Sequence, residues 1–253
     1  MKKRLTEDFN SYLRSKGMIL AIDEEIDKEQ KNIIDFQEAE EKLIILADFH
    51  KRVKGYVGDI GSRLPNSIGQ LMENYKAQLR RLKRDVNNIK AISSPNPFEK
   101  ELIRVGEAFV GRGERNIAIA LSADYIEKIY RSMKDYEICL GEVFMDNIYR
   151  KDGLIYIKDV SKCTYNLQEC DVIDYINRLK RRRADLPYDK LIKVYIEESG
   201  LEESSFEFIR GMVNYPYEFI KVCTRYRMGK KSWTPEKYAD SLVIAMIKDG
   251  EEI

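Results

Sequence analysis

The strongest constraint on the fold is a stripe of apolar residues that follows Pro65. Its members are separated alternately by four and by three residues: Ile68, Met72, Tyr75, Leu79, Leu82, Val86 and Ile89. This spacing puts all seven side chains on one face of an α-helix, because two helical turns take about seven residues. An apolar face of this length needs a partner, so the stripe predicts one member of an antiparallel helix pair.

Helical periodicity also precedes and follows this stripe. A helix is predicted from about Gln37 to Gly55, and its apolar face carries Leu43, Leu46, Phe49, His50 and Val53. A second long helical stretch is predicted over 98–134. After Asn166 the helical pattern returns to the end of the sequence, and turn signals predict breaks near Pro187, Gly200 and Pro216 and a helix start at Thr234-Pro235.

One β signal interrupts these helices. Ile138-Cys139-Leu140 is predicted as a short buried strand, and two further strands flank Lys151-Asp152-Gly153, which is a strong hairpin signal. Residues 1–36 form a charged segment with one amphipathic helix (Leu5, Phe9, Leu13) and an apolar run, 18–22, that is too short to distinguish a strand from a helical turn. The predicted class is mostly α (α+β), with one small hairpin region.

Charge and cysteine content exclude several classes of function. The 44 basic residues are balanced by 43 acidic ones, so no overall field favours a nucleic-acid partner or an anionic membrane. No apolar run approaches the roughly 18 residues of a membrane-spanning helix. The four cysteines form no CxxC pair and there is one histidine, His50, so a structural zinc site is not expected. His50 is predicted to be a hydrogen-bonded core residue.

Two patterns resemble binding motifs without meeting their chemical requirements. Gly106-x4-Gly111-Arg112-Gly113 has the glycines of a phosphate loop but lacks the Lys and Ser/Thr that would serve phosphate and magnesium. The basic clusters Arg80-Arg81-x-Lys83-Arg84 and Lys180-Arg181-Arg182-Arg183 are surrounded by acidic residues. We therefore interpret these clusters as solvated helix faces or protein-contact patches.

The hairpin region carries a spacing of polar residues that is typical of kinases. Glu142 follows the short strand, Asn147 comes five residues later, and Asp159 directly follows the second hairpin strand. In kinase-type phosphoryl transfer one carboxylate accepts the hydroxyl proton, while an Asn and an Asp hold magnesium. On spacing alone, a hairpin with ordinary polar residues is the favoured interpretation.

Three segments together resemble a known family. They are Leu46-Ala47-Asp48-Phe49-His50, residues 138–172, and a tail that contains Asn214-Tyr215-Pro216 and Lys230-Lys231-Ser232-Trp233. They resemble the CotS-like spore coat proteins, which are relatives of the aminoglycoside and choline phosphotransferases with a protein-kinase-like fold. The resemblance implies that residues 37–253 form the helical lobe of such a fold and that residues 1–36 are a strongly reduced N-terminal lobe.

The sequence departs from the family at its catalytic loop. Leu140 stands where the family has a histidine, and Glu142 stands where it has the catalytic aspartate, so Glu142 is a degenerate base position. The extra methylene of Glu moves the carboxylate by about 1 Å, and a displacement of that size can lower the catalytic rate strongly. The resemblance leaves Asn147 and Asp159 as a vestigial magnesium site.

These departures predict a protein that is not an enzyme. We expect a pseudokinase of the spore coat without a cofactor, made in the mother-cell cytoplasm during sporulation and then deposited on the spore coat through contacts with other coat proteins. Two alternatives stay open. One is a small-molecule phosphotransferase that uses Mg–ATP with Glu142, Asn147 and Asp159 and obtains a nucleotide lobe from another chain. The other is a helical adaptor unrelated to spores.

Overall fold

A computed structural model describes residues 8–21, 34–58, 61–143 and 147–253. The elements found in these residues are α1 Phe9–Ser15, β1 Met18–Leu20, α2 Phe36–Val53, α3 Gln70–Ile89, α4 Pro97–Ser122, α5 Tyr125–Asp135, β2 Ile138–Cys139, β3 Ile148–Lys151, β4 Leu154–Ile157, β5 Thr164–Tyr165, α6 Glu169–Arg181, α7 Tyr188–Ser199, α8 Ser204–Asn214, α9 Tyr217–Arg227 and α10 Pro235–Asp249. The prediction of a mostly helical chain with one small β region is confirmed.

The N-terminal segment supplies one helix and one strand. The Asp8 side chain accepts a hydrogen bond from the Ser11 N–H and so caps α1. The ambiguous apolar run after Gly17 forms β1, while Leu5 and Ile22 lie outside the described residues. Phe9, Leu13 and Met18 are buried members of the same hydrophobic cluster as the helices that follow.

The predicted helix pair is formed by α3 and α4. Six members of the apolar stripe are buried along α3, from Met72 to Ile89, while Ile68 precedes the helix. Gly106 and Gly113 lie on α4 against this stripe, where an added Cβ would stand 2.6 Å from side-chain atoms of Val86 and Leu79. These glycines therefore permit close helix packing, and they lie inside a helix rather than in a loop.

The second long helical stretch is a correction to the sequence prediction, since the segment 98–134 is two helices and not one. The chain leaves α4 at Ser122, and Asp124 adopts a left-handed conformation with φ 51° before α5 begins. Aspartate is one of the few residues other than glycine that enters this region readily. The break could not be predicted, because the apolar periodicity continues on both sides of it.

The β region consists of two small sheets. β3 and β4 form the predicted hairpin, with positive φ at both Asp152 and Gly153 as a type I′ turn requires. β1 pairs in parallel with the other edge of β4, which places Met18 beside Ile155. The second sheet pairs β2 antiparallel with β5, a strand of two residues that leaves no periodicity to detect in the sequence.

The C-terminal helices begin and end close to the predicted breaks. α6 is followed by α7, which starts directly after Pro187 and ends at Gly200; α8 and α9 are separated at Pro216. Thr234 caps α10 through a hydrogen bond from the Lys237 N–H. Within the described residues, no helix combines the length and apolar character that crossing a bilayer requires.

Candidate functional site

The loop between β2 and β3 carries the candidate base. It runs from Leu140 through Gly141 and Glu142, and residues 144–146 lie outside the described part. Gly141 has φ 76°, and a Cβ at this position would stand 2.3 Å from the carbonyl oxygen of Lys162. The loop can follow this path only with glycine, since any side chain would meet both backbone strain and a clash.

Asp171, in the first turn of α6, holds this loop from beneath. Its Oδ2 atom accepts the N–H of Leu140 at 2.6 Å, and its Oδ1 atom accepts the N–H of Gly141 at 3.0 Å. The residue is only 2% exposed. A buried carboxylate that accepts backbone N–H donors in this way fixes the position of the chain, because leaving either partner unpaired would be costly.

His50 continues this anchor from α2. Its Nε2 atom lies 2.9 Å from Oδ2 of Asp171, and its Nδ1 atom lies 2.9 Å from the hydroxyl of Tyr195. A carboxylate only accepts, so Nε2 donates to Asp171, and Nδ1 shares a hydrogen bond with the Tyr195 hydroxyl. Burial raises the pKa of Tyr195 well above its ordinary value, which keeps that hydroxyl protonated. The prediction of a hydrogen-bonded core histidine is confirmed.

The anchor also brings together side chains of metal-ligand type. One possible ligand atom each from His50, Cys139 and Asp171 lies within 4.8 Å of the others. However, the Cys139 thiol donates to the carbonyl of Leu167 at 3.0 Å, and burial raises its pKa well above the ordinary value. Metal binding would require a thiolate and the loss of several hydrogen bonds. This cluster is therefore a hydrogen-bonded anchor.

Asn147 joins the two acidic candidates of the sequence. Its Nδ2 group donates to the carbonyl oxygen of Glu142 at 2.8 Å and to that of Asp159 at 2.9 Å, while its Oδ1 atom accepts the N–H of Asp159 at 2.7 Å. All three residues singled out in the sequence thus meet at one rim of the hairpin. A role of Asn147 and Asp159 in holding magnesium stays a prediction.

Asp159 presents an exposed carboxylate at this rim. Its two oxygens accept hydrogen bonds from the backbone N–H and the hydroxyl of Ser161, at 2.7 and 2.9 Å. These bonds lower the pKa of Asp159 below its ordinary value, so the group is ionised at neutral pH. Among the described residues each oxygen accepts one hydrogen bond, which leaves a second lone pair able to meet a cation.

Glu142 is the more loosely held of the two acids. Its side chain is 44% exposed and lies 3.9 Å from Nη1 of Arg178. Arg178 in turn bonds Asp174 at 2.8 Å, one turn earlier on α6. The guanidinium therefore lies within ion-pair distance of Glu142, while the loop beneath is held by Asp171.

Sequence analysis did not identify Asp171 or Arg178 as part of the site. Asp171 belongs to the segment 138–172 that carries the family resemblance, but its contact with the loop spans about thirty residues and has no local signature. Arg178 is distinguished only by its spacing of four residues from Asp174, which many surface helices share.

Comparisons with known proteins support the fold. No protein family matches this sequence, and no curated protein matches it either. Among solved structures, the chain is similar to an aminoglycoside phosphotransferase from Alicyclobacillus acidocaldarius, with a TM-score of 0.65 and 12% identity, over 83% of this chain and 62% of that one. The chain thus has an aminoglycoside phosphotransferase-like fold, while membership of the CotS-like family stays a resemblance.

This comparison corrects the prediction that the chain is not an enzyme. A solved structure that shares the fold is that of a phosphotransferase, and no feature of the likeness indicates inactivity. The prediction treated the substitutions at Leu140 and Glu142 as disabling. In the structure Leu140 contributes a backbone N–H to the anchor, a bond that does not depend on its side chain.

Proposed function

We propose that this protein transfers a phosphoryl group from a magnesium-bound nucleotide to the hydroxyl of a small molecule. The observation that carries the proposal is the set of hydrogen bonds from Asn147, which holds the Glu142 loop and the backbone of Asp159 at one rim. An acid that accepts a proton, beside an amide and an acid that hold metal, is the arrangement that phosphoryl transfer uses. The phosphotransferase-like fold supports the same conclusion.

Glu142 is the group we propose as the general base. The hydroxyl oxygen of the acceptor forms a bond to the terminal phosphorus, and the bond from that phosphorus to the bridging oxygen of the nucleotide breaks. The hydroxyl proton passes to the Glu142 carboxylate. Arg178 lies within ion-pair distance of this carboxylate, and Asp171 restricts the position of the loop.

Asn147 and Asp159 fit magnesium by the chemistry of their donors. Both offer oxygen atoms, which magnesium prefers, and the Asp159 carboxylate is ionised and exposed. Bound magnesium would neutralise charge on the nucleotide phosphates. Among the described residues α1 and β1 are the elements that precede α2, and we propose that further nucleotide-binding groups come from another chain.

A thermal melt with and without millimolar Mg–ATP tests this proposal together with an assay of ADP release. A ligand at about a hundred times its dissociation constant stabilises a fold by roughly 2.7 kcal/mol, which is several degrees for a chain of this size. We expect a magnesium-dependent shift that Asp159→Ala abolishes and that Asp240→Ala, a change at an exposed acid on α10, leaves intact. The proposal would be refuted if Mg–ATP caused no shift and no acceptor mixture gave turnover.

Turnover of Glu142→Gln separates binding from chemistry. Glutamine keeps the size of the side chain but cannot accept the proton, so turnover should fall by about 100- to 10,000-fold while the Mg–ATP shift remains. Glu198→Gln, at an exposed position on α7, is the matched control and should change neither quantity. A Glu142→Gln variant with normal turnover would remove Glu142 as the base.

A second proposal concerns the place where the protein acts. We infer from the resemblance of its tail segment to the CotS-like proteins that it is made in the mother-cell cytoplasm and joins other proteins in the spore coat. In the structure the ring centroids of Trp233, in this segment, and Tyr238 are 5.3 Å apart, so the tail packs against the start of α10. A fluorescent fusion in a sporulating culture should gather on the forespore, whereas a signal that stays diffuse would contradict the proposal.

A further inference from the structure

Helix α5 buries two polar side chains beside Tyr125 and leaves three large apolar side chains exposed. The side chains turned inward include Lys128, 2% exposed, and Ser132, fully buried. The side chains turned outward include Ile126, Tyr130 and Met133, which are 56%, 61% and 55% exposed. In a surface helix of a globular protein, large apolar side chains normally face the core and charged ones the solvent. We call these three outward residues the α5 stripe.

The orientation of α5 is fixed by specific bonds on its inner side. The Lys128 ammonium donates to the hydroxyl of Ser204 at 2.7 Å. Arg131 donates to two buried carboxylates, reaching Glu137 and Glu169 at 2.8 Å each. Rotating the helix to hide the stripe would break these contacts and remove the guanidinium from two carboxylates in the core. The exposure of the stripe is therefore built into the fold.

The α5 stripe has a charged residue beside each of its ends. Glu127 follows Ile126, and Lys134 follows Met133, seven residues later. Seven residues make about two turns, so both charges lie on the same flank of the helix. Neither side chain has an ion-pair or hydrogen-bond partner among residues 8–21, 34–58, 61–143 and 147–253. The stripe thus carries an unpaired acid at one end and an unpaired base at the other.

We propose that the α5 stripe is the contact between two copies of this chain, with the two helices antiparallel. A twofold axis beside Tyr130 puts Ile126 of each copy against Met133 of the other, because Tyr130 lies near the middle of the stripe. The same axis keeps the charged flanks on one side of the pair. Each Glu127 then faces Lys134 of the second copy, so the twofold axis forms two equivalent ion pairs, one at each end of the contact.

The pattern of α5 favours a second copy over a different protein because it is complementary to itself. An antiparallel copy matches apolar residues and charges in one register, without any other surface having to supply them. The contact is short, at about two helical turns, and lies well below the area that a permanent dimer buries. The dimer should therefore be a weak one that forms in the micromolar range or above.

Charge exchange on α5 tests the pairing, read out by sedimentation equilibrium at about 5 to 500 µM protein. Each dimer of Glu127→Lys brings like charges together at both ends, and so does each dimer of Lys134→Glu. Each single variant should therefore dissociate about tenfold more readily than the unchanged chain. An equimolar mixture of the two variants should restore association, and so should the double variant Glu127→Lys/Lys134→Glu, because opposite charges face each other again.

The controls test whether each variant still folds and whether association depends on the α5 stripe. All the altered residues are exposed, and circular dichroism of each variant should match that of the unchanged chain. Tyr130→Glu places two carboxylates beside the axis and should abolish association, while Ile247→Lys, at a residue of α10 that is 53% exposed, should leave it unchanged. A chain that stays monomeric up to the highest concentration overturns the proposal and leaves another protein as the occupant. So does a dimer that single charge reversal does not weaken.

Discussion

Asp171 and Asp159 are both aspartates that accept backbone N–H groups near the loop of Glu142, yet their surroundings are opposite. Asp171 is buried, its oxygens are taken by Leu140, Gly141 and His50, and it lies on a helix. Asp159 is exposed, and the hydrogen bonds of its carboxylate come from Ser161, two residues away. One aspartate ties distant parts of the chain together, and the other shapes a local turn.

The difference separates the residues that hold the loop in place from the residues that are available to bind a ligand. A carboxylate whose lone pairs are used by the protein in a dry interior contributes to stability and has little capacity left for a ligand. A carboxylate in a solvated turn contributes little to stability and can meet a cation without breaking the fold. Changes to the anchor should therefore appear in unfolding, and changes to the rim in ligand binding.

Asp171→Ala should show the largest effect. It strands two backbone N–H groups and His50 in the interior, so the free energy of unfolding in urea should fall by about 3–5 kcal/mol. Asp171→Asn retains one acceptor and should lose less. If the Ala variant lost under about 1 kcal/mol, the anchor would not be the fixed base of the loop.

Gly141→Ala should come next, at about 2–3 kcal/mol. The new methyl group meets the Lys162 carbonyl, and the positive φ adds backbone strain. Gly153→Ala is the matched control, because Gly153 has almost the same φ, 77°, with no atom within 4 Å of an added Cβ. The control should lose about 1 kcal/mol, from strain alone. Equal losses in urea unfolding would show that the loop moves to admit the methyl group.

Asn147→Ala should cost about 1–2 kcal/mol, because three hydrogen bonds at a half-buried position are lost. The same change should remove the Mg–ATP shift in the thermal melt, since the loop and Asp159 are no longer joined. Asn177→Ala, on the partly exposed side of α6, is the comparison and should preserve the shift. A normal shift in Asn147→Ala would show that the rim does not depend on this side chain.

Asp159→Ala should have the smallest effect on unfolding, a few tenths of a kcal/mol at pH 7, because the carboxylate is exposed. The pKa of Asp159 is lowered in the folded state, so its contribution is present above the unfolded pKa and is lost as pH falls through the folded pKa. The difference between wild type and variant should be constant from about pH 5 to 8 and shrink below about pH 4. A difference that grows on acidification would contradict this account, as judged by urea unfolding across that range.

Much of the secondary structure could be predicted because its signals are local. The stripe on α3, the hairpin turn at Asp152-Gly153 and the cap at Thr234 each depend on residues within a few positions of one another. The break at Asp124 was missed because a left-handed aspartate leaves the apolar spacing on either side unchanged. The parallel pairing of β1 with β4 was missed because its partners are separated by more than a hundred residues.

The candidate site divides in the same way. The spacing of Glu142, Asn147 and Asp159 around one hairpin determined from the sequence alone that they lie near each other, since a hairpin returns the chain to its starting point. Only the tertiary structure placed Asp171 and His50 under the loop and buried Lys128 and Ser132 of α5. Periodicity identifies the faces of a helix, but which face is buried depends on bonding partners that lie far away in the sequence.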